Sequence, residues 1–129
     1  MATGFIAATA AAVLNGICRS EVWTEPAAFY IKLHIGDPGA AATANAATEA
    51  TRKAVTFGDA ATTGVIANTA AVTWTAVAAS EDYSHYSVWD AETAGNAILT
   101  GTLTAAAISA GSDFTIAIGD IDLTLSTAS

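Results

Sequence analysis

Residues 29–39 read Phe-Tyr-Ile-Lys-Leu-His-Ile-Gly-Asp-Pro-Gly, and no other stretch limits the fold as tightly. Phe29, Ile31, Leu33 and Ile35 alternate with Tyr30, Lys32 and His34. A period of two marks a strand with one buried face. Gly36-Asp37-Pro38-Gly39 then stops it. Pro38 fixes its own φ and has no N–H, while the glycines permit positive φ. A strand of this kind needs neighbours and a second layer, which sets the fold class.

The same alternation recurs. Arg52–Phe57 puts Val55 and Phe57 on one face, and Ala70–Ala76 aligns Val72, Trp74 and Ala76. In Tyr83–Asp90, Tyr86 and Val88 share one face and His85, Ser87 and Trp89 the other. Large residues on both faces predict an interior strand covered on both sides. Asp90–Asn96 reads as a hairpin loop, returning through Ala97–Thr104. Phe114, Ile116 and Ile118 are even-numbered, whereas Ile121, Leu123 and Leu125 are odd-numbered. That change of phase predicts a bulge or bend at Gly119. Gly58–Thr69, Ala78–Asp82 and Ala105–Asp113 read as connections.

Ahead of the strands, Ile6, Ala10, Val13, Leu14 and Ile17 fall on one helical face. With Thr3 as N-cap, they predict an amphipathic helix over 4–18, with Cys18 a small buried hydrophobe at its end. Ala40–Thr51 lacks large apolar residues and reads as a long exposed loop. The expected architecture is mainly β: a single domain over 1–129, with one N-terminal α-helix and an antiparallel β-sandwich or barrel-like module over 28–125.

Charge narrows the function classes. The net charge is −8, and the cations are Arg19, Lys32, Arg52 and Lys53. No basic patch exists to neutralise phosphates, so nucleic acid and anionic membrane surfaces are poor partners. Only 12% of residues are charged, against about 25% in ordinary globular chains. Such a surface suits contact with other protein, although a GC-rich genome would also enrich alanine. One cysteine excludes a disulfide framework. The apolar N-terminal run has no cation before Arg19, so it does not read as a signal peptide, and it is too short and polar to span a bilayer.

Candidate chemistry is sparse. Asp113, Asp120 and Asp122, with Asp90 and Glu92, could offer oxygens to Ca²⁺, but they also fit polar positions alternating with core residues. No phosphate loop, nucleophile elbow or zinc motif is present. Trp74 and Tyr86 read as core. Tyr83, His85, Trp89, His34 and Lys32 remain as candidates for an interface or partner surface. No catalytic, cofactor or metal residues are expected.

The order of segments resembles a family of small proteins of tailed bacteriophages, of the tail fibre or minor tail type found in phages of actinobacteria. The resemblance rests on an N-terminal helix, the strand Phe29–Gly39, Arg52-Lys-Ala-Val-Thr-Phe-Gly58 and Asn68-Thr-Ala-Ala-Val-Thr-Trp74. It continues through Ser84-His-Tyr-Ser-Val-Trp-Asp-Ala91, a Gly-Asn hairpin leading into Ile98-Leu99, and the apolar strand Ile121–Leu125. The alanine-rich loop 40–51 is longer than the resemblance leads one to expect. The resemblance implies a non-enzymatic virion component, made in the host cytoplasm and placed on the particle exterior, either on the tail or as capsid decoration. Other phage structural proteins would be its partners, in a homo-oligomer such as a trimer. The alternative is a receptor- or glycan-binding module using Tyr83, Trp89 and the loop 90–96.

Overall fold

The computed structural model describes residues 3–60 and 62–128. In chain order the elements are β1 (Gly4–Phe5), α1 (Ala7–Arg19), β2 (Phe29–His34), β3 (Lys53–Val55), β4 (Val65–Ala67), β5 (Val72–Trp74), β6 (Glu81–Trp89), β7 (Ala97–Ile108), β8 (Phe114–Ile116) and β9 (Asp122–Thr124). Five strands form an open antiparallel sheet in the order β1-β7-β6-β2-β3, and two small antiparallel pairs, β4–β9 and β5–β8, complete the β structure. The result is a β-sandwich-like module with one N-terminal helix.

Alternation explains the layers. Ile31 and Leu33 are fully buried on one face of β2, opposite Val88 and Tyr86 of β6. In β5 and β8, Val72, Trp74, Phe114 and Ile116 point inward while Thr73 and Thr115 share a hydroxyl hydrogen bond of 2.9 Å outside. These inward residues, with Ile121, make one apolar core between the large sheet and the small pairs. Trp74 and Tyr83 both pack on the Phe114 ring, at centroid distances of 5.9 and 5.0 Å. As its two-sided pattern predicted, β6 lies in the middle of the sheet.

The phase change near Gly119 is a tight turn. Gly119 has φ +85°, and buried Asn68 holds the turn from beneath. Its Oδ1 accepts from the N–H groups of Gly119 (2.9 Å) and Ile121 (3.0 Å), and its Nδ2 donates to Ala70 O (2.9 Å) and Ala117 O (3.0 Å). The chain thus leaves β8 in one pair and enters β9 in another.

Several sequence expectations are corrected. Gly4–Phe5 is a strand paired with β7 rather than helix, and the helix starts at Ala7 with Ile6, not Thr3, at the N-cap and no side-chain cap bond. Cys18 is exposed. The expected stripe divides: Ile6, Ala10 and Val13 are half-buried while Leu14 and Ile17 are exposed, because the helix packs on its Thr9–Val13 side. Val65–Ala67, read as loop, is a strand, and β7 runs on to Ile108.

The loop 40–51 contains no strand but is not simply exposed. Ala42, Ala47 and Glu49 are buried. Its backbone bonds to the end of β2, through Ala47 N–H to Leu33 O and Ile35 N–H to Asn45 O. Glu49 accepts from the N–H groups of Thr51 and Ala78, Glu81 accepts from the Thr48 N–H and hydroxyl, and Trp74 Nε1–H donates to Thr51 O. Hydrogen bonds do here what large apolar side chains do elsewhere.

Candidate functional site

The second face of the large sheet carries the polar and aromatic residues left over from the core. Tyr30, Lys32 and His34 of β2 stand opposite Trp89, Ser87 and His85 of β6. The loop 40–51 covers one end of this face and Arg52 the other.

His34 has no exposed surface. Its Nδ1 lies 2.8 Å from Ala44 O and its Nε2 2.8 Å from Ser87 Oγ. A carbonyl only accepts, so Nδ1 carries the proton and, in the neutral ring, Nε2 is the acceptor. Ser87 therefore donates to Nε2, and its Oγ accepts from Trp89 Nε1–H at 2.8 Å. The Arg52 guanidinium carbon lies 3.9 Å from the Trp89 ring centroid, a cation–π stack. Arg52 Nη1 also donates to Ala91 O (2.8 Å) and Ala94 O (2.6 Å) in the hairpin loop. Asp90 closes that loop by accepting from the backbone and side-chain N–H groups of Asn96.

Electrostatics follow burial. Desolvation pulls His34 below its ordinary value, opposed by the bond to Ala44 and reinforced by Lys32 and His85. Lys32 is lowered by burial and then by like-charged Arg52. The hydrogen bond from the Asn96 backbone holds Asp90 below the usual carboxylate range. Burial, then Glu81 and Glu49, pushes Tyr83 up.

The sequence-nominated surface residues separate into two groups. Tyr83 is fully buried in the core against Phe114, His34 is fully buried beside Ala44 of loop 40–51, and Trp89 is nearly buried under Arg52, so these three present little surface to a partner. The Tyr83 hydroxyl is buried without a hydrogen-bond partner. Half-buried Lys32 and His85 remain accessible, and His85 Nδ1 bonds Ser84 Oγ at 2.9 Å. Arg52 and Ser87 went unnominated. Alternation already puts Ser87 on the Trp89 face, but only the fold brings Arg52 to that ring.

His34 and Ser87 have the spacing of a base and a nucleophile. Neither reaches solvent, and the serine hydroxyl already donates and accepts. The pair cannot meet a substrate. A cavity of about 230 Å³ lies between α1 and the sheet, bounded by Phe5, Val13, Phe29, Phe57, Ile98 and Leu99 among others. Its lining is mostly apolar, with Thr9 and Asp122 the polar residues at its wall. No group of three or more His, Cys, Asp or Glu side chains suited to a metal occurs among the described residues. Among them, too, no helix is long and apolar enough to cross a membrane.

What the structure leaves open is a set of large apolar side chains around α1. Leu14 and Ile17 on α1 are 61% and 74% exposed, and Val22 and Trp23 just beyond it are 95% and 47% exposed. Leu14 and Ile17 lie on one side of α1, while Val22 and Trp23 turn back beside Ala8, Ala11, Ala12 and Asn15; exposed large apolar side chains of this kind suit covering by protein.

Comparison with known proteins bears on what kind of assembly that is. The family model described as podophage GP4 fiber I protein gp80 matches residues 4–124, which is every element from β1 to β9. The chain belongs to this phage fibre family. Its β-rich module is thus that of a bacteriophage structural protein of the tail-fibre type, associated with other phage structural proteins in the virion. The match does not extend to a minor tail assignment or to phages of actinobacteria. No protein of curated function matches the chain.

Proposed function

We propose that this chain is a non-enzymatic accessory subunit of the fibre, held to neighbouring fibre subunits by the outer face of α1 and the segment after it. The observation that carries the reading is the exposure of Leu14, Ile17, Val22 and Trp23. Uncovered, these side chains leave apolar area in water at roughly 25 cal/mol per Å². The histidines and the buried serine serve the scaffold, which supports a structural role. The subunit works in a closed homo-oligomer, in which copies cover part of this face for one another. Lys32 and His85 stand on a separate, polar surface available to a second neighbour. Burial of Tyr83 and Trp89 removes the aromatic platform that a glycan-binding reading needs.

The test is a double substitution, Leu14→Asp with Ile17→Asp. Both positions face solvent in the isolated chain, so the thermal midpoint stays within a few degrees of the parent. Incorporation into particles, measured by complementing a phage that lacks the gene, should fall at least about tenfold, the effect of losing roughly 1.4 kcal/mol of docking free energy. Parental incorporation of a folded double variant would refute docking through this face.

A further inference from the structure

The five-stranded sheet ends differently on its two sides. One edge is β3, three residues long, opening on Lys53 with Arg52 before it. Phe57, just beyond, is bridged to Asn68. That edge is short, cationic and continued by other chain. The opposite edge is β7. There β1 pairs with Leu99 and Thr100, and Ile6 N–H donates to Ile98 O. From Gly101 to Ile108, no described residue pairs with the outer side of β7. Natural sheets blunt a free edge of this length with charge or proline. Gly101-Thr-Leu-Thr-Ala-Ala-Ala-Ile108 has neither, and no charged residue occurs between Glu92 and Asp113.

The second layer stops on the same side. Among the described residues β8 pairs with β5 alone. A groove of about 500 Å³ is lined by β7 from Thr102 to Ala106 and by β8, but by no residue of β6 or β5. It therefore lies beyond the outer edges of both strands. We propose that this side is a contact between two copies of the chain, in which the 101–108 edges pair antiparallel across a two-fold axis and join the two sheets into one. The proposal rests on the homo-oligomer read above and adds to it a contact separate from α1.

The chemistry of the edge selects its occupant. Free N–H and C=O groups at strand spacing are matched by another extended backbone. When one edge pairs with itself, a single two-fold operation satisfies the groups of both strands. The strand also carries a register shift, with Leu103–Ala105 set against Ser84 alone. A bulge of this kind raises the local twist. A straight foreign strand does not follow that twist, whereas the same strand in a second copy shares it. Charge points the same way. Each copy carries −8, so copies repel wherever carboxylates meet, and no charged side chain belongs to this edge. Glu81 and Asp82 stand one strand back, opposite Ile108 and Ala107, and Asp120 lines the groove. An axis near Thr104 and Ala105 sends Glu81 and Asp82 of the two copies to opposite ends of the shared edge.

Sedimentation equilibrium on the full chain tests this, in the Leu14→Asp, Ile17→Asp background so that the α1 face takes no part. The expected species is a dimer at micromolar concentration. Added salt should tighten it, because salt screens the repulsion between acidic copies and the contact contains no ion pair to weaken. Thr104→Lys with Ala105→Lys, both at exposed positions, should raise the Kd at least about tenfold. These lysines lower the net repulsion between copies, so a weaker dimer reports on the edge itself. Should the lysine variant fail to fold, hydrogen exchange on the parent carries the test: amides of 101–108 should gain protection above the Kd while those of β3 do not. A monomer at every concentration up to about 1 mM, a trimer, an unchanged Kd in the lysine variant, or edge amides indifferent to concentration would each overturn the pairing. Particle incorporation of the Leu14→Asp, Ile17→Asp variant reports on α1 docking alone, so the two readings fail separately.

Discussion

At the scale of single residues, Tyr86 shows how closely the sheet is fitted. It pairs across β6 and β7 with Gly101, and a Cβ built there would meet the Tyr86 ring. Burial, and then Asp122, pushes its phenol up to about 12 from the ordinary 10.0. The sign follows directly. Above the ordinary value an unfolded tyrosine ionises while native Tyr86 stays neutral, so stability is lost as pH climbs from about 10 toward about 12. The loss approaches about 2–3 kcal/mol for a two-unit difference. Denaturant melts across that range should show the decline, and Tyr86→Phe should flatten it; an equally steep decline in the variant would show that another group is responsible. Alternation made Tyr86 and Trp74 readable as core because period two assigns each side chain a face. It could not show what covers the second face. His34 is hidden beside the loop that follows its own strand, Trp89 by the distant Arg52, and Tyr83 by Phe114 after a register shift in β6, so their burial depends on tertiary contacts that local spacing does not encode.

At the scale of elements, the same limit explains what was legible. β2, β5, β6 and the 90–96 hairpin announce themselves through alternation and turn residues. β4 does not, because Val65-Ile66-Ala67 is a strand only through its pairing with Leu123 and its neighbours, far along the chain. The helix was foreseen and its orientation was not, since a stripe of apolar residues looks alike whether it meets the core or a partner. The turn at Gly119 was legible from the phase change, but its support was not. Asn68 fills both donor and both acceptor positions of its amide there. Replacing it by alanine leaves the buried Ile121 N–H unpaired, at about 1–3 kcal/mol, and removes the three half-buried bonds to Ala70, Ala117 and Gly119 as well, at about 0.5–1.5 kcal/mol each. Asn68→Ala should therefore lower stability by about 3 kcal/mol or more in chemical denaturation, with exchange protection lost first in β4 and β9. A cost below about 1 kcal/mol would mean that the turn holds itself.

At the scale of the whole molecule, the chain is a fibre-family module whose polar relay lies inside and whose apolar residues lie partly outside. That inversion is expected of a subunit completed by its neighbours. The sequence-level resemblance reached the phage fibre class through the order of segments, and the family match over residues 4–124 supports it. The exposure of Leu14 and Ile17 was not legible in the sequence, because both belong to the stripe expected to meet the core. The most direct measurement is quantitative mass spectrometry of purified particles from a phage encoding this chain, with tails and capsids separated. The account predicts the chain in the tail fraction, at a fixed low copy number stoichiometric with fibre proteins. Absence from purified particles, or recovery only with capsids, would contradict it.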